Sequence, residues 1–277
     1  MNMILKTRSK QLHLLERTHI MGILNVTPDS FSDGGSYTTI EKAVAQAVRM
    51  VEEGADIIDV GGESTRPGHT PITSEEEISR IVPVIQSIKA KVQVPISVDT
   101  FKADTAEAAI EAGADIINDV WGAKKNPEIA KVVAKHQVPI ILMHNRTNEN
   151  YNDLMEDMLE ELRESIAIVK AAGVPDEHII IDPGIGFAKS REDDLHVMQQ
   201  LERLQELAYP LLLATSRKRM IGHILDVPPA ERDIGTGATT CLGIVKGAHM
   251  VRVHNVKVNA ELAKMTDAML GKGAYHG

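Results

Sequence analysis

The sequence predicts an α/β fold, specifically a closed (β/α)8 barrel in one domain spanning residues 1–277. Three observations carry that expectation. Eight short apolar, β-branched runs alternate with eight helical patterns within about 250 residues, the size and rhythm of such a barrel. Two strand-entry phrases recur along the chain. Almost every strand ends on a polar residue, and in this architecture the chemistry gathers at the strands' carboxyl ends. An open doubly wound sheet is the alternative, and no Gly-x-Gly-x-x-Gly loop follows the first strand to favour it.

The strands fall at about 20–25, 56–60, 95–99, 115–119, 138–143, 178–182, 210–215 and 249–253. The first, Ile20 to Leu24, is a continuous apolar run of the kind a fully buried parallel strand shows. The second opens with Glu53-Gly-Ala-Asp-Ile-Ile-Asp-Val60, and the fourth repeats it as Ala112-Gly-Ala-Asp-Ile-Ile-Asn-Asp-Val120. Lys246-Gly-Ala-His-Met-Val-Arg-Val253 is a fainter third copy. A second phrase, a Pro followed by apolar residues, begins at Val94, Val138 and Tyr209. The glycines read as helix C-caps that hand the chain to a strand. Helical patterns lie near 39–53, 75–90, 102–112, 126–136, 152–172, 191–206, 234–247 and 256–270. Ser74-Glu-Glu-Glu77 has the form of a capping box. Met1 to His19 mixes Lys and Arg with scattered Leu, without the apolar core of a signal peptide.

Composition narrows the function. With 43% hydrophobic and 25% charged residues the chain reads as an ordinary globular protein, and only 3% aromatics leaves the core to aliphatic side chains. A net charge of −9 argues against a nucleic-acid partner, and no run reaches the length of a membrane span. The single cysteine, Cys241, lies in an apolar helical run, reads as a core thiol and fits a reducing, cytoplasmic setting.

The polar strand ends run Asn25; Gly61-Gly-Glu-Ser-Thr-Arg-Pro-Gly68; Asp99-Thr100; Asn118-Asp119; Met143-His144-Asn145; Asp182-Pro-Gly184; Thr215-Ser-Arg-Lys218; and Arg252-Val-His254. Any one of them is a normal loop start. Ser216 reads as an N-cap, which sets Arg217, Lys218 and Arg219 in a first turn, where cations oppose the helix dipole unless an anion is bound. Arg252 and His254, two apart on a strand, point the same way, and with Arg66 would form an anion pocket; surface ion pairing is the plainer alternative. Asp99, Asn118 and Asp182 project from three strands and suit a flat, donor-rich heterocycle, with Met143 and Phe187 as an apolar wall. A glycosidase acid/base pair competes for the two carboxylates, but the chain is poor in rings to stack on sugars. No H-E-x-x-H spacing points to zinc. Mg²⁺ held by one protein oxygen and substrate phosphates is compatible, with Asn25 as the lone ligand.

The blocks Asn25 to Gly35, Gly61 to Gly68, Asp99-Thr100, Asn118-Asp119, Leu142-Met-His-Asn145, Asp182-Pro-Gly-Ile-Gly-Phe187, Ser216-Arg-Lys218 and Arg252-Val-His254, in this order, resemble the bacterial dihydropteroate synthases. The resemblance spans about residues 18 to 271. It implies a TIM barrel enzyme of folate biosynthesis, a transferase joining 6-hydroxymethyl-7,8-dihydropterin pyrophosphate to p-aminobenzoate, and a sulfonamide target. It implies a pterin pocket of Asp99, Asn118, Asp182 and Lys218 lined by Met143 and Phe187, with Lys218, Asp99 and Asp182 in catalysis. It implies a pyrophosphate site at Asn25, Thr65, Arg66, Arg252 and His254, with Mg²⁺ at Asn25. Phe31, Thr65, Pro67, Phe187 and Lys218 would lie near p-aminobenzoate, where loops after the first two strands close in that family. Arg219 and Ala214 depart from the family pattern, and Arg219 would pair with the p-aminobenzoate carboxylate. The family also implies a homodimer. A methyltetrahydrofolate-binding methyltransferase domain, a non-catalytic paralogue and a phosphosugar barrel enzyme are the rival readings. The Asn25–Gly35 loop and the Arg252/His254 pair weigh against the first, the filled polar positions against the second, and the lack of an inner-strand lysine against a Schiff-base enzyme.

Overall fold

In a computed structural model, which describes residues 3–27, 36–63 and 70–273, eight parallel strands carry the architecture. They are β3 (His19–Asn25), β4 (Ile57–Gly61), β5 (Ile96–Asp99), β6 (Ile116–Asp119), β7 (Ile140–Met143), β8 (Ile179–Asp182), β9 (Leu212–Leu213) and β10 (Met250–Val253). Their hydrogen-bonded order is β8-β7-β6-β5-β4-β3-β10-β9. The ends of that order meet through a parallel bridge between Ile181 and Leu211, and Ile181 N–H donates to Pro210 O at 2.9 Å. The cylinder therefore closes, as its sequence predicts.

The connecting helices are α1 (Ser36–Glu52), α2 (Ser74–Lys89), α3 (Ala103–Ala112), α4 (Glu128–His136), α5 (Leu154–Ala171), α6 (Arg191–Gln199), α7 (Arg219–Leu225), α8 (Asp233–Val245) and α9 (Val256–Met269). The repeated phrase has a common job. Gly54, Gly113 and Gly247 take positive φ (107°, 117° and 98°), which turns each helix end towards its strand. The residue two positions on then caps the start of the preceding strand in the sheet order. Asp56 accepts from Ile20 N–H at 3.0 Å, Asp115 from Ile96 N–H at 3.0 Å, and His249 Nδ1 from Leu211 N–H at 3.1 Å. A buried polar group repeats because the same backbone donor must be satisfied at each of these steps around the ring.

Two apolar layers result. One fills the space between sheet and helices. The other lies inside the cylinder, where Met21, Ile57, Ile116, Ile141, Ile180, Leu212 and Met250 pack on Leu5, Leu12 and Leu14. Leu5 and Leu12 belong to a hairpin of β1 (Ile4–Lys6) and β2 (Gln11–His13), paired antiparallel, which with Leu14 directly after β2 plugs the amino-terminal end of the barrel. The N-terminal region, to which the sequence reading assigned no strand, is thus the barrel's floor. Its scattered leucines find their partners only across the cylinder.

Four local readings are corrected. Thr73, not Ser74, caps α2 by accepting from Glu76 N–H at 3.2 Å. The pattern at 191–206 breaks at Gln200 into α6 and a 3-10 turn, Leu201–Leu207. The seventh strand keeps only Leu212–Leu213 in the ladder. Ser216 is not a helix cap: α7 begins at Arg219 with Lys218 at its N-cap, and Arg217 takes φ 56°. A complete capping box does occur, at Ser190 and Asp193.

Candidate active site

The inward positions of the strands define a polar layer above the apolar plug. Register sets Asn25 beside Gly61, Gly61 beside Asp99, Asp99 beside Asn118, and Met143 beside Asp182. Since side chains alternate across a strand, these residues share the cavity face at the carboxyl end.

Arg252 rises from β10 into this layer and joins two carboxylates. Its Nε donates to Asp59 Oδ2 at 2.6 Å and its Nη2 to Asp99 Oδ2 at 2.9 Å, while Asn118 Nδ2 donates to Asp59 Oδ2 at 3.3 Å. Arg252, read from the sequence as part of an anion pocket with His254, is here paired with two buried acids. His254 meets Ser216 instead, with Nδ1 2.9 Å from its Oγ, and its N–H donates to the same oxygen at 3.1 Å. Arg217 forks onto Asp233 at 2.7 and 2.9 Å. Of the three cations expected in one helical turn, Arg219 alone occupies it, on the exposed surface.

Burial dominates the acids. It pushes the Asp99 carboxyl up to about 7, against the pull of Arg252 and with a further push from Asp59. Asp182 rises to about 6 for the same reason, although Gly184 N–H, Lys218 and Arg252 favour its charged form. The buried Oδ1 atoms of Asp59 and Asp99 have no hydrogen-bond partner among the described residues. Acceptors left in that condition are suited to a ligand that brings N–H donors.

Opposite them, Lys218 sets its Nζ 4.2 Å from the centre of the Phe187 ring, a cation–π contact. Desolvation lowers its pKa to about 8, against the pull of Asp182. Gly186, at φ 80°, lets this happen: a Cβ there would stand 3.0 Å from Lys218 Cδ. Gly184, at φ 67°, brings the chain so close to β7 that a Cβ would lie 2.0 Å from His144 O.

Of the residues singled out from sequence, Asn25, Asp99, Asn118, Met143, Asp182, Phe187, Lys218 and Arg252 lie around the barrel mouth, with His254 at its β10 edge. Phe31, Thr65, Arg66 and Pro67 lie outside the described residues. Asp59 was missed, although strand parity from Gly61 would have found it two residues inward. Lys189, buried under the loop after β8, gives no local sequence signal.

A closed parallel barrel with paired acids, an amide and two cations at its carboxyl mouth is the frame of an enzyme for a small, nitrogen-rich substrate. The chain belongs to the pterin binding enzyme family, whose model matches residues 21–254. The dihydropteroate synthase of Bacillus subtilis (strain 168) is 58% identical, over 99% of this chain and 96% of its own. Among solved structures, dihydropteroate synthase from Xanthomonas albilineans with 4-aminobenzoic acid is 42% identical, with a TM-score of 0.93 over 98% of this chain and 99% of that one. The X. albilineans synthase in complex with 7,8-dihydropteroate gives 40% identity and a TM-score of 0.89, over 96% and 98% of the two chains.

Proposed function

We infer that this chain condenses 6-hydroxymethyl-7,8-dihydropterin pyrophosphate with p-aminobenzoate, giving 7,8-dihydropteroate and pyrophosphate. That makes it a transferase of folate biosynthesis. The observation that carries the reading is the polar layer itself. Asp99, Asn118 and Asp182 face one cavity with Lys218 and Arg252, inside a chain 58% identical to a dihydropteroate synthase.

In this reading Asp99, Asn118, Asp182 and Lys218 grip the pterin edge, and Met143 and Phe187 wall its faces. A donor-rich ring meets carboxylates whose proton affinities, about 7 and about 6, lie close to neutrality. Bound N–H groups then favour the ionised form. As the carbon–oxygen bond to the diphosphate breaks, positive charge spreads from the methylene into the ring, and ionised Asp99 and Asp182 stabilise it. Asn25, Thr65, Arg66, Arg252 and His254 take the departing diphosphate, with Arg252 also neutralising Asp59 and Asp99. Phe31, Thr65, Pro67, Phe187, Lys218 and Arg219 would surround p-aminobenzoate. Its aryl amine is a free base at neutral pH, so the attack needs no strong general base.

Mg²⁺ fits this donor set. Asn25 Oδ1 faces the space that Gly61 leaves open, 3.5 Å from where a Cβ would stand, with Asp99 Cβ at 3.8 Å from the same point. One neutral oxygen beside substrate phosphates is a typical Mg²⁺ setting. No group of three or more acidic, His or Cys side chains among the described residues offers a metal site by itself. When bound there, Mg²⁺ would neutralise charge on the leaving diphosphate.

We take residues 1–277 as one pterin-binding domain acting in the cytoplasm, where a lone thiol such as Cys241 stays reduced. We also propose a homodimer. Ile234, Val245, Met265 and Met269 of α8 and α9 stand exposed, and apolar side chains gathered on neighbouring helices fit a subunit contact. No helix among the described residues is long and apolar enough to cross a membrane.

The test is incubation with the pterin pyrophosphate and p-aminobenzoate, following dihydropteroate and released pyrophosphate with Mg²⁺ or with EDTA. Dihydropteroate formed with Mg²⁺ and lost with EDTA supports both statements. No product under either condition rejects the activity, and equal product rejects the metal.

A further inference from the structure

The loop after β8 is fastened at nearly every residue, and its central fastener is a lysine that the reaction does not use. Lys189 is only 4% exposed, rare for a lysine. Its Nζ reaches three acceptors, His144 Nδ1 at 2.9 Å, Gly184 O at 3.1 Å and Phe187 O at 3.1 Å, and burial lowers its pKa to about 7 against the pull of Asp194 and Asp182. Around it, Asp182 Oδ1 accepts from Gly184 N–H and Asp194 Oδ1 from Gly186 N–H, both at 2.7 Å. Tyr151 Oη donates to Ala188 O at 2.7 Å.

We propose that Lys189 is a positioning residue: its Nζ ties the end of β7 to the 184–187 turn and so fixes where Phe187 and Lys218 meet the substrate. Three features of the fold support this. The turn has positive φ at Gly184, Gly186 and Ala188, a shape that external bonds must hold. Two of the three acceptors are the carbonyls that open and close that turn. The third, His144, is 1% exposed, and burial holds its pKa down at about 4. His144 is therefore neutral, with Nδ1 accepting from Lys189 and Nε2 facing Glu161 Oε2 at 3.2 Å. Arg146 and Lys124 hold Glu161 in turn, at 2.7 and 3.0 Å. An apolar residue in place of Lys189 takes a donor from both turn carbonyls, leaving Gly184 O only the Phe187 N–H at 3.0 Å, and the wall formed by Phe187 loosens.

The proposal rests on the pterin reading of the mouth. Turnover by the unaltered chain judges that reading, and the variants are judged relative to it. Lys189→Met should raise KM for the dihydropterin pyrophosphate about tenfold with kcat within about threefold, the pattern of lost substrate binding. In a Phe187→Ala background the same change should cost less than about threefold, because the ring it places is gone. His144→Leu should raise KM in the same direction. His144→Asn should restore it, since Asn Oδ1 stands near the position of His Nδ1. An unchanged KM in a folded Lys189→Met, or an equal penalty with and without Phe187, would overturn the proposal. If Lys189→Met does not fold, the His144 pair decides: equal KM values for the Leu and Asn variants would overturn it equally.

Discussion

Replacing Asp182 with Asn removes a charge that folding has buried while keeping the acceptor that Gly184 N–H uses. Burial raises this carboxyl from the ordinary 3.8 to about 6, so the folded chain binds the proton more tightly than the unfolded one. The sign follows from linkage. Its contribution to stability is whole below pH 3.8 and is lost as pH rises through 6. At about 1.4 kcal/mol per pH unit, keeping Asp182 ionised at pH 8 costs the fold up to about 3 kcal/mol. Asp182→Asn should therefore melt higher than the parent at pH 8, by roughly 2 °C for each kcal/mol in a chain of this size. The gap should close near pH 4, where the parent is protonated. The same variant should lose pterin affinity in calorimetry, because the amide cannot offer two anionic acceptor oxygens. A variant that melts at or below the parent at pH 8, or a gap that persists at pH 4, would refute the account of Asp182 as a costly, functional charge.

Other outcomes follow from the same geometry. Lys218→Ala should abolish dihydropteroate formation while circular dichroism and melting stay near those of the parent; unchanged turnover rejects its role. Arg252→Met strands Asp59 and Asp99 together and should cost about 3–5 kcal/mol at pH 8. The cost should be smaller at pH 5, where Asp99 takes up a proton, and urea midpoints at the two pH values read it. Leu12→Ala opens a cavity in the barrel floor and should cost about 2–5 kcal/mol in the same titration; a loss below about 0.5 kcal/mol would show that the hairpin does not plug the barrel. Gly184→Ala would bring a Cβ to 2.0 Å from His144 O at a left-handed φ, so soluble expression should fall sharply and pterin binding should vanish in any chain recovered.

Much of the site was readable because a barrel converts strand parity into a common cavity. Asn25, Asp99, Asn118 and Asp182 each end an apolar run, and a polar residue at such an end has few other places to go. What went unread was long-range. Asp59 sits inside an apolar strand phrase and gives no sign of its role until Arg252, 193 positions away, is found on it. The role of Ser216 was misread because its partner, His254, is 38 residues away, whereas the capping rule weighs only near neighbours. Lys189 resembles any surface lysine in a polar stretch. Only the packing of the β7 and β8 ends over it makes it buried.

From the sequence alone came the alternation of strand and helix, the glycines that turn helix ends, and the polar residues that finish the strands. Each of these depends on φ preference or on residues within one turn or one strand, so local order is enough to express it. Tertiary structure decided how charge is shared among Asp59, Asp99, Asp182, Lys218 and Arg252, and which cation meets which acid. It also made an unremarkable N-terminal segment into the floor of the barrel. Those outcomes depend on desolvation and on contacts across the cylinder, quantities that exist only once the ring of strands has closed.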